Sequence, residues 1–212
     1  MEIPNQIDVL LKDVNNDCIK LKLDTEPFIS GSIKQVVNWM VLNPLGNVDM
    51  PDIQSGITLF FLACRYNPNN ELIIWLIESC ETKLSFTNSD GDTVLEYLAK
   101  SEFNSPKISA RIKLLMSYHL FDLDRQNKYN DSLFDILCYS GYIDIVKYIL
   151  SNGYEPGQEK QTKLINQVNE IITGECDDYW STYEIDEDHF YRSLEGIMKL
   201  LELKFFDLHL CK

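Results

Sequence analysis

The order of residues from Asn127 to Pro156, NKYNDSLFDILCYSGYIDIVKYILSNGYEP, leaves little choice of local structure. A polar turn over 127–131 leads into an apolar run, Ser132 to Cys138, and Gly141 breaks that run. A second run follows. In it Ile145, Val146, Ile149 and Leu150 fall at offsets that share one face of an α-helix. Gly153 supplies the positive-φ residue that closes a helix C-terminus. The spacing predicts a short helix, a tight turn, a second helix and a stop. A hairpin of this kind cannot bury its apolar face alone, so it needs neighbours of the same build.

The chain supplies them. Asp52 to Phe86 opens with Gly56-Ile57-Thr58 and continues through Leu59, Phe60, Leu62, Ala63 and Cys64. A turn, Asn67-Pro68-Asn69-Asn70, separates this from a second helix carrying Ile73, Ile74, Leu76 and Ile77. The next unit opens Asn88-Ser89-Asp90-Gly91-Asp92-Thr93. Its first helix bears Val94, Leu95, Leu98 and Ala99, and a polar turn from Ser101 to Lys107 precedes its second, ARIKLLMSYHL. In the stretch described above, Asn130 and Ser132 stand where Gly91 and Thr93 stand. The flanks are less regular. Ile33 to Leu42 sets Ile33, Val36, Val37, Met40 and Val41 at helical spacing. Before it, Ile7 to Leu11 is read as a helix start, and Cys18 to Leu23 alternates like a strand or turn. After Pro156, helices are expected over Lys163–Ile172 and His189–Phe206, separated by GECDDYWSTYEIDED. The ending MKLLELKFFDL echoes the earlier IKLLMSYHLFDL.

Asp-x-x-Gly-x-Thr turns followed by two short helices resemble the ankyrin repeat, in which about 33 residues form a β-turn and an antiparallel helix pair. Asn88 to Thr93 is the best match, and Gly56, Thr58 and Ala63 match as well. Leu59 and Phe61 depart from the family's Pro and His. The expected fold is an all-α solenoid of stacked helix-turn-helix units with short β-turn loops, about five in number. One domain over 1–212 is expected: a degenerate N-terminal repeat or cap over 1–50, three recognisable repeats over 51–156, and a degenerate C-terminal repeat over 157–212 with an acidic insertion at 174–188. The diverged, Asn- and Ile-rich look is similar to ankyrin proteins of large DNA viruses and of intracellular bacteria, which target host regulators.

Charge and composition narrow the function. The chain has 212 residues, 33 acidic against 19 basic, for a formal charge of −14. Such a chain repels a phosphate backbone, so nucleic acid is not an expected partner, and a basic protein surface is the easier match. No apolar run is long enough to span a bilayer, and MEIPNQIDVLLKDVNN has no basic stretch before an apolar core. An intracellular, cytoplasmic location is expected. The six cysteines form no C-x-x-C pair and no metal-type spacing with histidine. Cys64 and Cys138 fall where a repeat wants a small buried residue and are read as reduced core cysteines. The three histidines, His119, His189 and His209, sit in no nucleophile pattern, and the nine glycines are scattered turn residues without a phosphate loop. No catalytic, cofactor or metal residues are assigned, and the protein is read as non-enzymatic. The alternative is an enzyme or effector with a cryptic site on this scaffold.

Two stretches are candidates for contact. The resemblance implies that a partner lies across the concave face, touching the turn tips and the ends of the first helices. By position the tips are Gln54, Ser55 and Ile57, then Ser89, Asp90 and Asp92, then Lys128, Tyr129 and Asp131. The helix ends are Arg65 and Tyr66, Lys100 and Ser101, and Tyr139 and Ser140. Tyr66, Tyr129 and Tyr139 suit a hot spot, or else cover the adjacent repeat. The second stretch is the acidic insertion, where Asp177, Asp178, Tyr179, Trp180 and Tyr183 are interleaved without a basic residue. Carboxylates and aromatics together suit a basic peptide. The same composition suits a solvated loop packed on its neighbour, and it lacks the ligand order and glycine of an EF-hand.

Overall fold

The computed structural model describes residues 8–12, 18–22, 25–44, 46–52, 54–80, 82–102, 105–118, 121–174 and 187–210. Helical hairpins make up most of it. The chain divides into two compact units, Met1–Val94 and Leu95–Lys212.

The first unit begins with an antiparallel hairpin of β1 (Asp8–Lys12) and β2 (Cys18–Lys22), in register from Asp8↔Lys22 to Lys12↔Cys18. Of the helix start expected over Ile7–Leu11, the described residues 8–11 therefore lie in a strand. Cross-strand pairing with a second alternating segment decides between strand and helix where a short apolar run is ambiguous. Helix α1 (Glu26–Ile29) carries Pro27 in its first turn and buries Phe28. Helix α2 (Ile33–Leu42) follows a Ser32/Gln35 capping box, in which the Ser32 amide donates to Gln35 Oε1 at 2.8 Å. The face α2 turns inward is narrower than its apolar spacing predicts. Val36 and Trp39 are buried, whereas Val37 and Val41 are 38% and 74% exposed. Trp39 sets the rotation by meeting Phe28 edge to face at 5.0 Å.

Helix α3 (Leu59–Tyr66) is capped by Thr58, whose hydroxyl accepts from the Phe61 amide at 3.3 Å. Helix α4 (Asn70–Ser79) is capped by Asn69 through the Glu71 amide at 2.8 Å. The turn between them is pinned from within. Buried Asn67 donates to the carbonyls of Phe28 and Gly31 at 3.0 and 2.9 Å, tying this turn to α1 and to the link that follows it.

Helix α5 (Val94–Ser101) starts at the last residue of the first unit and runs into the second. Helix α6 (Pro106–Tyr118) takes its proline at the first position, where no amide is needed. Helices α7 (Leu133–Tyr139) and α8 (Ile143–Ser151) form the hairpin expected around Gly141, and Ile145, Val146, Ile149 and Leu150 are all buried. Ser132 and Asp135 form a second capping box, at 3.3 and 2.8 Å. Buried Tyr142 donates its hydroxyl to the Glu102 carbonyl.

Helix α9 (Gln158–Thr173) and helix α10 (Glu187–Leu210) extend further than the sequence pattern predicts. They pack on each other, and α10 also meets α7 and α8. Gly196 lies where α10 meets α8, and a Cβ there would stand 2.4 Å from Cδ1 at the movable end of the Ile143 side chain. The core of this unit joins Leu133, Phe134 and Ile136 with Leu164, Val168, Phe190, Leu194 and Ile197. Cys64 and Cys138 are buried and carry no disulfide.

Candidate functional site

The tips are built by one device used three times. In two turns an asparagine closes the loop on itself. Asn88 Oδ1 accepts from the amides of Asp90 and Asp92, both at 2.9 Å. Asn127 Oδ1 accepts from those of Tyr129 and Asp131 at 2.8 and 3.1 Å. Each asparagine's backbone amide also donates to the carbonyl four residues on, at 2.9 Å in both turns. Gly91 and Asn130 take the left-handed position, with φ of 76° and 62°. Asparagine is among the few non-glycine residues that visit this region, which explains how Asn130 replaces the glycine. Asp52 does the same for the first turn, accepting from the Gln54 and Ser55 amides at 3.1 and 2.9 Å. There the loop is one residue longer, since the Asp52 amide donates to the Ile57 carbonyl. Side-chain oxygens thus hold the turn backbone, and the residues at the tip are left to project.

In the first unit the tip residues Gln54 and Ser89 are exposed, and Asp90 is half-buried. The two turns meet directly: the Ser89 amide donates to the Ser55 carbonyl at 2.9 Å. At the end of α3 the Arg65 guanidinium lies 4.9 Å above the Tyr66 ring, and Tyr66 is 43% exposed. Asp92 is buried and offers no side chain to a partner docking there.

In the second unit Lys128 and Tyr129 project from the turn, with Tyr129 58% exposed. Two amines face its ring, Lys128 Nζ at 4.9 Å and Lys100 Nζ at 5.4 Å. Asp131 sits half-buried beneath the tip. Burial raises its carboxyl above the ordinary value, against the charges of Lys163 and Lys100. Tyr139 is itself buried, so it too is withdrawn from the surface. Asp177, Asp178, Tyr179, Trp180 and Tyr183 lie outside the described residues.

A polar cluster that sequence reasoning did not single out lies at the start of α9. Lys160 Nζ donates to Asp124 Oδ1 at 2.7 Å, to Ser132 Oγ at 2.8 Å and to the Tyr154 hydroxyl at 3.2 Å. Asp135 Oδ1 lies 3.6 Å away. Tyr154 donates to the same Asp124 oxygen at 2.6 Å. Partial burial opposes the charge on Asp124. The hydrogen bonds from Lys160 and Tyr154 and the charge of Lys160 outweigh that and hold its carboxyl below the ordinary value. A lysine beside a serine hydroxyl is a nucleophile–base geometry. Here it is committed elsewhere: Ser132 is buried and caps α7, and Lys160 is held by carboxylates. A second pair, half-buried Arg125 with buried Glu96, ties the preceding turn to α5. Among the described residues no group of three or more His, Cys, Asp or Glu side chains is placed to hold a metal ion. Nor, among them, is any helix long and apolar enough to cross a membrane.

A family model described as ankyrin repeats (3 copies) matches residues 60–160. No curated protein matches the chain.

Proposed function

Residues 60–160 of this chain are ankyrin repeats, and from that premise we propose that the protein is a non-enzymatic module that docks a host or cellular regulatory protein in the cytoplasm. Stacked repeats of this kind create extended concave binding surfaces. The observation that carries the reading is the construction of the tips. Asp52, Asn88 and Asn127 each hold a turn by side-chain hydrogen bonds, so a partner meets ordered backbone and loses little loop entropy on binding. Tyr129 presents an exposed ring at the Asn127 tip and Tyr66 one at the end of α3, each with a cation over it. Aromatic and arginine side chains are the commonest hot spots. The proposed contact residues are Gln54, Arg65, Tyr66, Ser89 and Asp90 in the first unit, and Lys128 and Tyr129 in the second. The 174–188 stretch is proposed as a second contact, its acidic and aromatic composition suited to a basic surface.

The test is affinity capture from a cell lysate with the full chain and with a Tyr66→Ala/Tyr129→Ala variant. A protein retained by the wild type and released by the variant, at unchanged thermal midpoint, supports the docking surface. Equal retention by both forms overturns it. A charge-reversed 174–188 variant that holds the same protein equally tightly at low salt removes the loop from the proposal.

A further inference from the structure

We infer that strand β1 pairs antiparallel with β1 of a second copy of this chain, joining two hairpins into one four-stranded sheet. This is independent of the docking reading above. The hairpin is a sheet of two strands, and among the described residues no third strand joins either edge. Two strands alone are marginal in water, and three or more with an apolar face are needed. The register supplies such a face. Val9 stands opposite Leu21, and Leu11 opposite Ile19. Residues directly opposite, or two apart along a strand, share a side of the sheet. Val9, Leu11, Ile19 and Leu21 therefore mark one side, and the charged positions Asp8, Lys12, Lys20 and Lys22 fall on the other.

Charge selects the edge. Strand β1 reads Asp-Val-Leu-Leu-Lys, a sequence complementary to itself in the antiparallel sense. Centred on Leu10, the pairing sets Asp8 of each copy opposite Lys12 of the other, Val9 opposite Leu11, and Leu10 opposite Leu10. Opposite charges across a strand pair stabilise it, and like charges directly opposite destabilise it. The other edge fails the same test. Strand β2 reads Cys-Ile-Lys-Leu-Lys, and pairing it with itself sets Lys20 against Lys20. Lysines on an edge strand guard it against pairing. The register of the β1 pair follows as well. A slip of one residue would set the apolar side of one hairpin level with the charged side of the other. A slip of two would separate both Asp–Lys pairs. The same strand is used in both copies, so the contact is isologous and closes at two.

The experiment is molar mass by light scattering on the full chain over a concentration series. The expected mass rises from one chain to two and goes no higher. Asp8→Lys and Lys12→Glu each turn both attractive pairs into repulsive ones. Each variant should self-associate at least about tenfold more weakly with its thermal midpoint unchanged. Lys12→Glu also leaves the Asp8–Lys22 pairing of its own hairpin in place. An equimolar mixture of the two variants should associate again, because every charge pair between unlike copies is attractive. Leu10→Cys gives a reading that changes no charge. Directly opposite residues of an antiparallel pair lie within disulfide reach, so mild oxidation should link two chains of this variant to a greater extent than the wild type. A chain that stays single at every concentration overturns the inference. So does a dimer that both charge variants leave intact, a mixture that fails to associate, or a Leu10→Cys variant that links no more than the wild type.

Discussion

Gly56 shows how one missing side chain lets two turns meet. Its φ is 65°, which disfavours any L side chain, and a Cβ would stand 2.6 Å from the Ser89 amide nitrogen. That nitrogen is backbone and already bonded to Ser55, so it cannot swing aside. Gly56→Ala should destabilise by about 1–3 kcal/mol, read from urea unfolding. Gly153 is the control. Its φ is 90°, and a Cβ added there would meet nothing within 4 Å, so Gly153→Ala should lose only the conformational part, about 1 kcal/mol. Equal effects at both positions would remove the steric argument. Asp124 supplies the pH prediction. Its folded carboxyl is held below its unfolded value by Lys160 and Tyr154 despite partial burial. As pH falls the unfolded state therefore binds the proton first, and the stabilisation is full above about pH 4 and lost as pH falls through the folded value. Unfolding midpoints of wild type and Asp124→Asn should differ at about pH 6 and converge towards about pH 2.5. A constant gap would show that the hydrogen bonds and not the charge matter. The two sites differ in how far the sequence announces them. Gly56 is legible because a glycine two residues before a threonine cap is a local signal. The Lys160 cluster is not, because its members at 124, 132, 135, 154 and 160 meet only through tertiary packing.

At the scale of elements, helix α2 shows where periodicity stops being informative. Its apolar residues cover more of the surface than a single neighbour can bury, so spacing alone leaves the inward direction undecided. The Phe28–Trp39 contact decides it, and Phe28 lies in a four-residue helix that no period can reveal. The substitutions that separate the two faces are Val36→Ala and Val41→Gln. The first removes fully buried methyls and should cost ~2 kcal/mol. The second changes a residue 74% exposed and should stay within about 0.5 kcal/mol. Reversed magnitudes would mean that α2 is rotated from the orientation described. Elsewhere the period and caps sufficed. Helices α3 and α7 begin at the Thr58 and Ser132 caps that the repeat pattern points to, and α8 buries the four residues its spacing selects. Of the expected contact positions, Asp92 and Tyr139 follow from place in the repeat alone. Only packing reveals that they face inward, because a tip residue and the residue supporting it share one sequence signature.

For the whole molecule, what matters is that each repeat is incomplete without its neighbour. Helices α9 and α10 carry the weakest repeat signature and lie largely beyond the matched 60–160 segment. Nevertheless they are where α7 and α8 bury their outer side, through Leu164, Val168, Phe190, Leu194 and Ile197. Two further ties hold the pair: Lys160 reaches Asp124 and Ser132 across this junction, and Gln161 of α9 donates its side-chain amide to the Leu201 carbonyl of α10. Solenoid stability is a sum of repeat terms and nearest-neighbour interfaces, and the terminal repeats keep apolar faces from solvent. A chain cut after Pro156 keeps Lys128 and Tyr129 and loses the covering pair together with the 174–188 stretch between its helices. If α9 and α10 act as that cover, the truncated chain should bind a dye that reports exposed apolar surface, unfold at a lower temperature and associate with concentration. Restoring 157–212 with Lys160→Met and Gln161→Leu should recover compactness but not the full midpoint, since packing returns while the polar ties do not. A truncated chain with the wild-type midpoint and no dye binding would show that the three matched repeats close their own core, and that the last helix pair is an appendage rather than a cap.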